Sequence, residues 1–258
     1  MVGAPCNSVK QDCADVHNVL PGDKMGSDCV NPSTNFQGRI FGIFAKQPLA
    51  GKTKTRLAQA TSPDLAQRVA QALLEDSLDH FSGIQASRAI VYAPATGTTF
   101  FSQLAQGRYD LIPQCEGDLG QRLHHFFAGA RRQGYSRIIA VGADSPTVPI
   151  DYVEQAFAAL EVNNVVIGPA HDGGYYLIGG GLQELAMFDD IPWSSARVLE
   201  ATIQRVQKAS ARLALLPPWY DVDTAADWAV LCADVRAKRL AGLDPGVPHV
   251  EQLMHGNV

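Results

Sequence analysis

Arg137-Ile138-Ile139-Ala140-Val141-Gly142-Ala143-Asp144-Ser145-Pro146 is the stretch on which the reading of this chain turns. Its first six residues (RIIAVG) form a short apolar run with polar neighbours, the pattern of a buried strand. A carboxylate and a proline follow directly, so the strand ends beside Asp144 and a loop begins. The same pattern recurs on both sides. Ile40 to Ala45 (IFGIFA), Arg88 to Ala93 (RAIVYA), Val165 to Gly168 (VVIG) and Leu213 to Leu216 read as further strands. Helices separate them. One starts with Ser62 as N-cap and Pro63 in its first turn, and runs to about Phe81 with Leu65, Val69, Ala72 and Leu73 on one face. Others are expected over Leu119–Arg132, Asp151–Leu160, Val198–Gln207 and Ala225–Val235. Strands alternating with helices of this length give an α/β fold, a mostly parallel sheet with helices on both faces.

Composition sets the outer limits. The chain has 258 residues, 46% hydrophobic, enough for one large core or two small ones. No apolar run approaches the ~20 residues that span a bilayer. With 21 basic and 26 acidic residues the net charge is -5, which offers no general attraction to nucleic acid or an anionic membrane. The five cysteines include no C-x-x-C pair, and no secretory signal is apparent, so a reduced, cytoplasmic protein is expected. Residues 1–38 read as a flexible N-terminal extension, 39–240 as a single nucleotide-binding domain, and 241–258 as a C-terminal tail. A homodimer is left open.

Function lies in how the charges are distributed. Ligands of open α/β sheets bind beyond the carboxyl ends of the strands. The loops after Ala45, Gly142 and Gly168 should therefore converge. The first is basic: between Asp28 and Asp64 there is no acidic residue, while Arg39, Lys46, Lys52, Lys54 and Arg56 all fall there. Gly51, Lys54, Thr55 and Arg56 precede a helix and suit phosphate oxygens; a solvated basic loop is the plainer alternative. A P-loop fails on spacing, since it needs Gly where Lys46 stands. The second loop carries Asp144, and a carboxylate beside phosphates commonly works through a divalent metal. Asp221 and Asp223 lie on the same side of an extended segment, although Asp223 or Thr224 could instead cap the last helix with Asp227. Asp172-Gly173-Gly174-Tyr175-Tyr176 follows VVIG and offers a carboxylate, an open backbone and aromatic faces, or simply a tight turn.

Six ordered segments carry a family resemblance: FAKQPLAGKTKTRLA (Phe44 to Ala58), GDLGQRL (Gly117 to Leu123), VGADSPTVP (Val141 to Pro149), IGPAHDGGYYLIG (Ile167 to Gly179), IPWSSARV (Ile191 to Val198) and LPPWYDVDTAADW (Leu216 to Trp228). Together they resemble the bacterial GT-A-type transferases labelled as glycosyltransferases of arsenosugar biosynthesis. That family is distantly similar to phospholactate guanylyltransferases and other nucleotidyltransferases.

The resemblance covers about residues 39–235 and implies a Rossmann-like GT-A, nucleotide-diphospho-sugar transferase fold. It also implies a set of roles. Gly51, Lys54, Thr55 and Arg56 match the phosphate loop, with Asp118 near the nucleotide. Asp144 and Asp223 would hold Mg²⁺ or Mn²⁺. Asp172 and Lys54 would be catalytic, with Gly173, Gly174, Tyr175 and Trp193 on the acceptor side. His171 stands where such sequences commonly carry an acid. The implied activity is glycosyl transfer from a nucleotide-diphosphate sugar to a small acceptor, and the charge and apolar patterning above leave no expected nucleic acid or membrane partner. Nucleotidyl transfer with pyrophosphate release is the alternative, and an inactive nucleotide-binding module the second.

Overall fold

The structure, a computed structural model, describes residues 38–181 and 185–256. The expected N-terminal extension, with Cys6, Cys13 and Cys29, lies outside the described residues apart from Gly38. In chain order the elements are β1 (Arg39–Lys46), α1 (Thr55–Ala60), α2 (Pro63–His80), β2 (Ser87–Ala93), α3 (Thr98–Ala105), β3 (Asp110–Pro113) and α4 (Leu119–Arg132). They continue with β4 (Arg137–Gly142), α5 (Ile150–Ala159), β5 (Val165–Pro169), β6 (Tyr175–Gly180), α6 (Val198–Lys208), β7 (Leu213–Leu215), α7 (Ala225–Leu240) and α8 (Pro248–His255). Among the described residues no helix is long and apolar enough to cross a membrane.

The strands form one seven-stranded sheet in the order β3-β2-β1-β4-β6-β5-β7. β1 pairs in parallel with β2 and β4, β2 with β3, and β5 with β7. β6 alone runs antiparallel, against both β4 and β5. The chain thus leaves β1 outward through β2 and β3, then returns to the other side of β1 as β4. That reversal places a crevice beyond the carboxyl ends of β1 and β4, the position at which open α/β sheets bind ligands.

Strand alternation divides the core into two layers. Phe41, Ile43 and Ala45 of β1 and Ile139 and Val141 of β4 face a layer completed by Leu74 and Leu78 of α2, Phe101 of α3 and Phe157 of α5. Ile40 and Ile138 face the other, with Leu123, Phe126 and Phe127 of α4 and Val206 of α6. Close approach requires glycine at position 42, where a Cβ would lie 2.5 Å from the Phe126 ring. A third apolar layer joins Leu57 of α1 and Val69 and Leu73 of α2 to Val222, to Leu231 and Val235 of α7 and to Val250 of α8.

Local capping explains where helices begin. The Leu65 N–H donates to the Ser62 side chain at 3.1 Å, with Pro63 in the first turn of α2 as expected. α4 and α7 each start with a reciprocal capping box, Asp118 with Gln121 and Thr224 with Asp227.

Five elements differ from the sequence expectation. The loop expected over Gly51–Arg56 ends at Lys54, where α1 begins. α3 and β3 fill the interval after β2 that reads as loop. Tyr175–Gly180, whose first two residues are expected in a turn, is the antiparallel strand β6. Finally, the tail expected over 241–258 contains α8, whose Val250 is buried against α2.

Candidate active site

Two loops and one extended segment meet in the crevice beyond β1 and β4. After β1 the chain passes Gly51, at φ 71° with open space around it, and reaches Lys54 at φ 47°. This left-handed turn ends the loop and makes Lys54 the residue from which α1 starts. The chain after β4 is held in place: the Ala143 N–H donates to Phe44 O at 3.1 Å, and Ser77 Oγ donates to Ala143 O at 3.0 Å. Asp144 O then accepts the Val222 N–H at 3.0 Å, which draws the Asp221–Asp223 segment alongside.

The side chains converge on one ammonium group. Lys54 Nζ lies 2.6 Å from Asp144 Oδ1 and 2.8 Å from Asp223 Oδ1, with its side chain only 5% exposed. The second oxygen of Asp223 accepts from Arg56 Nη2 at 2.7 Å. Burial alone would lower the Lys54 pKa, but Asp144 and Asp223 outweigh it and hold the group above its ordinary value. Burial likewise pushes Asp223 up, and Lys54 and Arg56 reverse this, leaving its carboxyl below the usual range. The basic and acidic loops are therefore in direct contact.

Asp221 belongs to the same site, although the resemblance implies a role only for Asp223. Burial raises its pKa to about 6, assisted by the charges of Asp223, Asp172 and Asp144. The alternation of Asp221 and Asp223 about the fully buried Val222 was the available signal. Thr224 and Asp227 take the capping role, which leaves Asp223 free to pair with Lys54.

The turn between β5 and β6 supplies Asp172. Its Oδ1 accepts the Gly174 N–H at 2.8 Å, and the side chain is exposed. Gly173, expected on the acceptor side, has a packing reason: at φ 89°, a Cβ there would lie 2.2 Å from Ala196 O. His171 is exposed on the same turn.

Other expected site residues have structural positions. Tyr175, expected to face an acceptor, is a correction: β6 alternation turns its ring into the layer beneath the sheet with Leu199. Burial pushes its hydroxyl pKa up, with Thr202 beside it. Trp193 is half-buried, edge-on to the Tyr175 ring at 6.4 Å, and a Cβ at Gly120 would meet its indole nitrogen at 2.7 Å. Asp118 caps α4 by accepting the Gln121 N–H at 2.9 Å. Thr55 is the first residue of α1 and is exposed. A groove of about 570 Å³ between α2 and α8, lined in part by Asp64, Arg68, Glu75 and His249, shares no residue with this site.

Among the described residues, no group of three or more His, Cys, Asp and Glu side chains is arranged to hold a metal ion by itself. A magnesium site over phosphates needs only one or two carboxylates. The Asp144–Asp223 pair fits that requirement, since it already closes on a cation, the Lys54 ammonium.

A family model described as "Uncharacterized protein conserved in bacteria (DUF2064)" matches residues 80–195. Among solved structures, a protein from Desulfovibrio desulfuricans G20 with the provisional name nucleotide-diphospho-sugar transferase is 30% identical, at a TM-score of 0.76. The match covers 85% of this chain and 95% of that one. The chain belongs to this transferase family. A cytidylyltransferase from Leptospira borgpetersenii serovar Hardjo-bovis (14% identity, TM-score 0.53, covering 85% of this chain and 94% of that one) shares the fold. So does a 4-diphosphocytidyl-2C-methyl-D-erythritol synthase from Anaerococcus prevotii (9% identity, TM-score 0.53, covering 79% and 98%). No match is found among curated proteins. Of the residues joined around Lys54, the family model reaches only Asp144; Lys54, Arg56 and Asp223 lie outside its span.

Proposed function

We propose that this transferase moves a glycosyl group from a nucleotide-diphosphate sugar to a small acceptor, with Mg²⁺ or Mn²⁺ held by Asp144 and Asp223. The observation that carries the reading is the buried Lys54 ammonium between these two carboxylates, placed where the sheet topology opens a ligand crevice. When bound, the metal would supply charge neutralisation at the donor diphosphate.

The chain's own residues account for the remaining chemistry. Lys54 and Arg56 stabilise the negative charge that gathers on the departing nucleoside diphosphate. Asp172 accepts the proton of the acceptor hydroxyl at Oδ2, because Oδ1 is engaged by the Gly174 N–H. The acceptor oxygen bonds to the anomeric carbon as the bond from that carbon to the diphosphate oxygen breaks. The nucleoside diphosphate then leaves with the bonding pair.

A second reading, nucleotidyl transfer, is favoured by the loop between β1 and α1. Lys52 in that loop and Arg56 in the first turn of α1 are both exposed, and Gly51 has open space beside it, a setting that suits a triphosphate. In that reaction an acceptor phosphate attacks the α-phosphorus and pyrophosphate leaves.

Incubation with Mg²⁺ or Mn²⁺ and a panel of nucleoside triphosphates and nucleotide-diphosphate sugars separates the two. Release of nucleoside diphosphate supports glycosyl transfer, and release of pyrophosphate supports nucleotidyl transfer. Nucleotide binding without either product would overturn both and leave a binding module.

A further inference from the structure

We propose that Lys54 is the resident counter-ion of this site: its ammonium holds Asp144 and Asp223 together until a divalent cation replaces it, and then passes to the donor phosphate. The inference rests on the metal-dependent reading above and concerns how that site is loaded.

Charge and geometry carry it. Two carboxylates, Asp144 and Asp223, face two cations, Lys54 and Arg56, all linked by contacts of 2.6 to 2.8 Å. These four groups balance one another, with Asp221 and Asp172 as further acids nearby. A divalent cation entering between the carboxylates with Lys54 in place would face a like charge a few ångströms away. The ammonium therefore has to leave as the metal arrives. Its backbone is fixed at the start of α1, so the movement is a swing of the four-carbon side chain.

The displaced ammonium needs a new anion, and a nucleoside diphosphate brings one to the same crevice. Metal alone should consequently bind weakly, and metal together with nucleotide tightly. By linkage, each ligand strengthens the other by the same factor. Lys54 thus makes the site wait for its donor, instead of filling with free divalent cation.

Two measurements on the full chain test this. Calorimetric titration of Mn²⁺ into the nucleotide-free protein should show K54Q binding roughly 5- to 150-fold tighter than wild type, the range of such couplings. Equal or weaker binding by K54Q would overturn the proposal. Should K54Q fail to fold, peptide-mapped acetylation of wild type decides. Mg²⁺ should raise the reactivity of Lys54, and adding ADP, CDP, GDP or UDP should lower it again. Reactivity unmoved by Mg²⁺ overturns the proposal while leaving the metal-dependent reading intact, provided Mn²⁺ and a nucleoside diphosphate still bind together. If wild type binds no Mn²⁺ even with nucleoside diphosphate, the reading fails and the proposal with it.

Discussion

Asp76 and Val250, 174 positions apart, are joined by a hydrogen bond: the Val250 N–H donates to Asp76 Oδ2 at 2.9 Å. The neighbouring His249 N–H donates to the other carboxylate oxygen, also at 2.9 Å. A fully buried side chain of α2 therefore satisfies two backbone donors that lack an intrahelical partner at the start of α8. His249 adds ring contacts of 3.2 Å to Glu75 and 3.3 Å to Asp79.

Asp76→Ala should release α8. Loss of both acceptors is expected to cost about 1–3 kcal/mol in urea unfolding. Hydrogen exchange over residues 248–255 should accelerate, while β1 and β4 remain protected. Unchanged exchange in α8 would mean that the apolar contacts of Val250 hold the helix without the carboxylate.

Stability should fall as pH rises from about 4 to about 6. Burial, the first cause in each case, raises both Asp76 and Asp221 to about 6. An unfolded carboxyl loses its proton near pH 4. Between these values the folded state holds more protons than the unfolded one, so raising the pH favours unfolding. His80 opposes this: burial lowers its pKa, so its contribution is lost as pH drops below 6.5. Subtracting the Asp221→Asn curve isolates Asp221, and wild type should lose about 1–2 kcal/mol relative to that variant across the window. A flat difference would show that burial does not raise the Asp221 carboxyl in the folded protein.

Asp144→Ala should abolish metal-dependent turnover, with a loss of at least about 10²-fold. The fold should survive, because this side chain is 47% exposed and Lys54 keeps Asp223 as a partner. Turnover paired with circular dichroism gives the answer. Full activity in the variant would remove Asp144 from the chemistry.

Tyr175→Phe should leave kcat and KM within about twofold of wild type, since its hydroxyl is buried beside Thr202. Asp172→Asn, on the same turn, should lower kcat by about 10²-fold. Steady-state kinetics of the two variants, run side by side, distinguish a buried tyrosine from an acceptor contact.

The parts of this fold that a reader of the sequence can find are those set by local rules. RIIAVG and IFGIFA are apolar runs long enough to mark strands, and Ser62-Pro63 announces α2 by its cap. β6 was hidden because Tyr175 to Gly180 follows a glycine turn, and its antiparallel direction depends on insertion between β4 and β5. α1 escaped for a different reason: six residues after a left-handed lysine carry too little periodicity to register. At the site, charge segregation identified the loops, while the direct Lys54–Asp223 contact required the third dimension. Composition does not say which face of a strand Tyr175 takes, and its place in the buried layer needs the fold.

Lys54 and Asp223 are 169 residues apart, which gives the site a history as well as a geometry. At a synthesis rate of 5–20 residues per second, roughly 8–34 s separate the appearance of the lysine from that of its second carboxylate. Asp144 is made between them and can neutralise the ammonium in the meantime. A nascent chain can thus assemble β1 to β6 early, yet becomes competent only once the Asp221–Asp223 segment has emerged.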